Sequence, residues 1–313
     1  MNSNFTNNEA TYFHYVYNRP TYHRGGSALY GQRNINISGC TFSFYTESIV
    51  SGRYYSHGQQ RLYITYSVFY HNDKAICSYN NDVIVKNSNF YSNMARSGNG
   101  GAVYSAKSVT AINCTFINST AISGGGGAVF SGENIDALNS TFISSSAGGG
   151  GTLYGQHSIS VINCNISNST AGINGGAVYS MQSVTAVNST FSNSTASMGN
   201  GGAIYSGNDV MTINCTISKC SALSGKGGAV YSTGSIEVLI FSRSLFSNNS
   251  ASGCGVLYVN GHYDHRMEFT NSTFVFNEAM PSDQSFTGLS SRACRAPFHK
   301  CWGSGWSVTL KVS

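Results

Sequence analysis

The chain has 313 residues and a formal charge of +5, and only 9% of it is charged, against roughly 25% in an ordinary soluble protein. That length holds one large solenoid or two compact domains, and no stretch approaches the ~18 uninterrupted apolar residues of a membrane helix. Between positions 100 and 234 Lys107, Lys219 and Lys226 balance Glu133, Asp136 and Asp209, so the basic stripe of a nucleic-acid binder is absent there.

The first ten residues carry neither the basic nor the apolar region of a signal peptide. Instead, Asn2-Ser3-Asn4-Phe5 reads as the second half of a repeat, so the chain is expected to begin inside a longer protein. Looser first halves follow at Gly26-Ser27-Ala28-Leu29-Tyr30, Gly52-Arg53-Tyr54-Tyr55-Ser56 and Ala75-Ile76-Cys77-Ser78. The cleanest copies of Gly-Gly-Ala-Val/Ile-Tyr-Ser begin at Gly100, Gly126, Gly175, Gly201 and Gly227, with relatives at Gly150 and Gly255. Each is followed by Asn-Cys/Ser-Thr-Phe, as at Asn113 to Phe116, Asn139 to Phe142, Asn188 to Phe191 and Asn271 to Phe274. Ile replaces Phe in the copies at Asn163 and Asn214.

A period near 25 residues without a helical pattern predicts an all-β chain, a right-handed parallel β-helix of about 10–11 coils. One coil cannot bury its apolar face alone, whereas neighbours above and below can. Each coil is expected to hold a short strand around Ala-Val-Tyr and a second one running into Asn-Cys-Thr-Phe. A third segment should lead into the Gly-rich corner. Alternation in the second strand places Ile112, Cys114 and Phe116 inside and Asn113 and Thr115 outside; in the first, Val103 and Tyr104 compete for the interior. Stacking then predicts a ladder of Phe116, Phe142 and Phe191 inside, and one of Asn113, Asn139 and Asn188 at a corner. The repeat domain spans 1–280, with its regular core at 100–251 and a non-repeat tail at 281–313.

Gly201-Gly202-Ala203-Ile204, its Gly-Gly variants and the Phe-x-x-Asn segments at Phe5, Phe69, Phe90, Phe246 and Phe274 alternate along the chain. This array resembles the chlamydial polymorphic outer membrane proteins over roughly residues 2 to 279. The resemblance implies an autotransported, surface-exposed passenger acting as an adhesin, located outside the cell or at the outer membrane. The 33 residues after position 280 are too few for the family's C-terminal barrel.

Twelve Asn-x-Ser/Thr sequons occur, among them Asn113, Asn118, Asn139, Asn188, Asn193, Asn214 and Asn271. Two readings stand: the sequon is simply the repeat, or the rod is a glycosylated eukaryotic secreted protein. Nine cysteines is an odd number. Cys114, Cys164 and Cys215 share one repeat position two coils apart, ~9.6 Å by strand spacing, beyond the ~7 Å that a disulfide spans. They read as small buried fillers, and Cys294 with Cys301 is the best local pair. The tail around them is either a cap over exposed strand edges or the artefact of an incomplete or mis-spliced gene.

The rival class is a polysaccharide lyase or hydrolase, which needs clustered carboxylates on one face. Glu133, Asp136 and Asp209 lie in the turn that elsewhere holds Lys107, His157 and Gln182, a variable polar column typical of a solvated turn. His262-Tyr263-Asp264-His265 is the densest group of metal-ligand types and reads as a longer exposed loop. The Gly runs at 124–127 and 148–151 lack the Lys-Ser/Thr of a phosphate loop. The expectation is therefore a non-catalytic adhesive or structural rod without metal or cofactor. Its partner would be a cell-surface protein or glycan, not nucleic acid.

Overall fold

The computed structural model describes residues 61–234, 238–259 and 266–279, with strand segments at 3–6, 9–10, 29–30, 35–43, 50–52 and 307–311. It is an all-β solenoid of four parallel sheets with 12, 11, 8 and 10 strands. One coil shows the plan. Val103–Ser105 belongs to the tyrosine sheet, Val109–Ile112 to the long sheet, Thr115–Ile117 to the phenylalanine sheet and Thr120–Ala121 to the short sheet. The next coil repeats this in exact register, with Val103 beside Val129, Ala111 beside Ala137, Phe116 beside Phe142 and Ala121 beside Ala147. Among the described residues the short sheet has 8 strands, and eight coils carry all four. Ser307–Lys311, within the tail, pairs in parallel with Arg266–Thr270 and adds an outer strand to the long sheet.

The four strands, rather than the expected two or three, arise from two tight corners. Asn113 (φ 55°) and Asn118 (φ 54°) both adopt the left-handed conformation that Asn tolerates better than other side chains. The same corners recur at Asn139, Asn163, Asn188 and Asn214, and at Ser144, Asn168, Asn193 and Lys219. Each corner resets the alternation of side chains. That is why Ile112, expected inside, lies half-buried on the outer face: Val109 and Ala111 already fill the inward positions of its strand, and the chain turns before Cys114 points back in. In the tyrosine sheet the competition resolves in favour of Val103, which is fully buried, while Tyr104 faces out.

The core is a set of columns, one residue per coil. Phe42, Phe69, Phe90, Phe116 and Phe142 stack with ring centroids 5.0, 4.8, 4.6 and 4.8 Å apart. Ile166 and Ile217 flank Phe191 in register, and Phe246 and Phe274 stack again at 4.9 Å. Offset stacking of this kind adds about 0.5–1.5 kcal/mol per pair beyond area burial.

Polar columns run beside the apolar ones. From Ser88 to Ser244 the residue after the first corner alternates between Ser and Cys. Its side chain accepts the backbone N–H of the same position one coil earlier: Cys114 N to Ser140 Oγ at 3.0 Å, Ser140 N to Cys164 Sγ at 3.4 Å, Cys164 N to Ser189 Oγ at 3.1 Å. A corner amide that the sheets leave unpaired is satisfied this way. The inward Ser of Tyr-Ser does related work. Ser131, Ser180, Ser206 and Ser232 donate to a turn carbonyl of the preceding coil at 2.7, 2.7, 2.6 and 2.6 Å.

The Gly-Gly corner closes each coil. Gly100 has φ +70°, and a Cβ on Gly101 would run into the Gly127 carbonyl of the next coil.

Candidate functional site

In the described coils the inward columns are buried side chains, so the groups that meet a partner stand on the outward columns and in the turns. Three features present chemistry to solvent.

The first is the asparagine corner. Asn163 donates to Asn139 at 3.0 Å, Asn188 to Asn163 at 3.1 Å, Asn214 to Asn188 at 3.0 Å and Asn113 to Asn87 at 3.2 Å, all through side-chain amides. On one side of this exposed row stand Thr115, Thr141, Asn165, Thr190 and Thr216 on the phenylalanine sheet. On the other stands a half-buried aliphatic row of Ile112, Leu138, Ile162, Val187 and Ile213. Neutral hydrogen-bonding and aliphatic stripes therefore run side by side along the rod.

The sequon asparagines belong to this geometry. Asn113, Asn139, Asn188, Asn214 and Asn271 occupy the first corner, Asn118 and Asn193 the second, and all are exposed with positive φ. Backbone conformation alone therefore gives each a reason to be Asn. Lys219 and Arg243 adopt the same conformation where the sequon is absent. All seven are also open to an enzyme approaching from solvent. A second asparagine class, the last residue of Phe-x-x-Asn, has the opposite position. Asn93 is buried and donates to the Phe69 carbonyl at 2.9 Å; Asn72 donates to Asn93 Oδ1 at 3.0 Å; Asn249 donates to Asn277 Oδ1 at 2.9 Å. In the coils between, this column holds Ser119, Ser145, Ser169, Ser194 and Cys220. The hydroxyls of Ser119 and Ser145 are buried without a hydrogen-bond partner.

The second feature is the turn column. Lys107 Nζ pairs with Glu133 Oε1 at 2.8 Å, and Ser108 Oγ donates to Glu133 Oε2 at 3.1 Å. The hydrogen bond from Lys107 holds the Glu133 carboxyl below its ordinary range and raises Lys107 in return. Asp209 Oδ1 accepts the Val238 N–H at 2.7 Å. These two carboxylates are thus tied by their neighbours, whereas Asp136, expected in the turn, stands exposed on the strand Ile135–Leu138. Among the described residues no group of three or more His, Cys, Asp or Glu is placed to hold a metal ion. His262, Asp264, Cys294 and Cys301 lie outside the described residues.

The third feature is a row of rings along the outside of the tyrosine sheet. Tyr104, Phe130, Tyr154, Tyr179, Tyr205, Tyr231 and Tyr258 stack at 5.3, 5.0, 4.5, 4.7, 5.3 and 5.2 Å. Burial pushes the Tyr179 phenol up to about 12. The sequence carries the period of these aromatics, but not their outward direction, which follows only once Val103 takes the interior.

The described cysteines Cys40, Cys77, Cys114, Cys164, Cys215, Cys220 and Cys254 are all buried. Burial raises Cys114 to about 11 and Cys220 to about 12. No helix is long and apolar enough to cross a membrane among the described residues. Neither family models, nor curated proteins, nor solved structures return a match to this chain.

Proposed function

We propose that this chain is a non-catalytic, secreted or surface-exposed solenoid rod of the polymorphic-outer-membrane-protein type, working as an adhesin or structural spacer. The observation that carries this reading is the in-register exposed row of Asn, with Thr beside it, repeated coil after coil. At ~4.8 Å per coil such a row offers many equivalent weak polar contacts, and linked weak contacts multiply into avidity. A repeating glycan or the face of a cell-surface protein meets that requirement; nucleic acid does not, because the central coils carry no excess of positive charge. The tied carboxylates of Glu133 and Asp209 argue against general acid–base work in the turns.

The test is binding of the full chain to a glycan array and to intact cells. Saturable retention in either, lost when Asn163, Asn188 and Asn214 are replaced by Asp, is expected. Silence in both assays sinks the adhesive reading, and release of oligosaccharides from polyuronates would favour a polysaccharide-processing enzyme instead.

A further inference from the structure

The outward ring column is built for a chemistry that the adhesive reading does not use. From Tyr154 to Tyr258 five consecutive coils place a tyrosine at the same position. Their planes are nearly parallel, at 17°, 4°, 15° and 9° between successive rings. The faces are covered by neighbours, so the column offers ring edges rather than surfaces on which a sugar could stack; Tyr154, Tyr179, Tyr205 and Tyr258 are half-buried, and Tyr231 between them is buried. Parallel rings bring like atoms opposite like atoms. Tyr154 and Tyr179 are the nearest of these pairs, with ring centroids 4.5 Å apart and planes 17° from parallel, so the ring carbons ortho to their hydroxyls lie against one another. The absence of side chains helps to seat the rings: a Cβ on Gly125 or Gly150 would strike the ring of Tyr154 or Tyr179.

We propose that this column is an oxidative cross-linking site, where neighbouring tyrosines join as dityrosine and staple successive coils together. The oxidant is hydrogen peroxide acting through a haem peroxidase. Each of two phenols gives up its O–H hydrogen as a proton and an electron. The two phenoxyl radicals form one carbon–carbon bond between ortho carbons, and the two ring hydrogens there move to the oxygens as aromaticity returns. One peroxide takes up the two electrons and two protons and leaves as two waters. Ordinary coupling is limited by the encounter of two scarce radicals, whereas here the partner is held in place, the situation in which intramolecular reactions gain their largest advantage. The rings must close from 4.5–4.7 Å at Tyr154, Tyr179 and Tyr205 and tilt about their side-chain bonds, which their outward position permits. Phe130 cannot couple and separates Tyr104 from the five.

The full chain treated with peroxide and a haem peroxidase should develop dityrosine fluorescence. The monomer should lose two hydrogens per link without gaining oxygen, and peptide mapping should join ring neighbours between Tyr154 and Tyr258. In the double variant Tyr179→Phe, Tyr205→Phe the stack is preserved, since Phe130 already occupies the column. Its links should fall to those that Tyr231 and Tyr258 alone supply. Absence of dityrosine, links found only between separate chains, or a yield undiminished in the double variant would each overturn the proposal.

Discussion

Replacing a buried serine by alanine should have opposite effects at two places in this rod. Ser119 and Ser145 have buried hydroxyls without partners, and a buried unsatisfied polar group costs about 1–3 kcal/mol. Alanine removes that hydroxyl and leaves the methylene that packs the column, so Ser119→Ala should be neutral or should gain up to about 1 kcal/mol. Ser206 is equally buried, but its Oγ donates to the Gln182 carbonyl at 2.6 Å and lies 3.0 Å from the Asp209 carbonyl. Ser206→Ala deletes that donor and strands a carbonyl inside, for a loss of about 1–3 kcal/mol. The same atoms are removed in both cases, so the difference isolates hydrogen bonding from packing. Urea unfolding followed by circular dichroism reads the two midpoints against the unaltered chain. If Ser119→Ala loses as much as Ser206→Ala, the hydroxyl of Ser119 has a partner, and the account of the interior column is wrong.

Three further outcomes follow from the same structure. Phe116→Ala removes a ring between Phe90 and Phe142 and should cost about 3–5 kcal/mol in urea unfolding; Phe116→Ile should cost less, since Ile166 and Ile217 already serve as rungs. Glu133 titrates below its ordinary value because Lys107 is bonded to it. A lowered carboxylate contributes above its unfolded pKa, and that contribution is lost as pH falls through the lowered folded value. Lys107→Met should move the Glu133 carboxyl titration, followed by NMR, back up toward the ordinary range; the pair is solvent-exposed, so the unfolding midpoint at neutral pH should scarcely change. Cys114, raised to about 11 by burial, should resist a thiol reagent at pH 8 in the native chain and react once urea exposes it; modification of the native protein would contradict the packing.

The repeat made much of this legible from residues alone. Phe116 inward and Asn113 outward followed from alternation around a fixed period. The strands per coil did not, because two of the boundaries are single residues at positive φ, and Asn113 and Asn118 look like ordinary polar residues until the chain turns at them. The hardest distinction is between asparagines. Asn113, three residues before Phe116, is an exposed corner; Asn93, three residues after Phe90, is a buried donor to the coil before it. Composition cannot separate them; only the offset from the inward ring does, since it decides whether the amide lies outside the first corner or inside beyond the second. The tyrosine row was hidden for a similar reason, as its direction depends on which neighbour wins the interior.

The register between coils has a consequence for heredity. Positions 26 residues apart, such as Cys114 and Ser140, occupy equivalent places and make equivalent bonds. A segment of that length, copied or lost whole, would place every new residue beside the neighbours it already suits, and only the rungs at the splice would meet a changed partner. The gene of such a rod can therefore lengthen or shorten by unequal crossing-over between its own repeats without passing through an unfoldable intermediate, so the length of the rod is a trait that recombination can adjust one coil at a time.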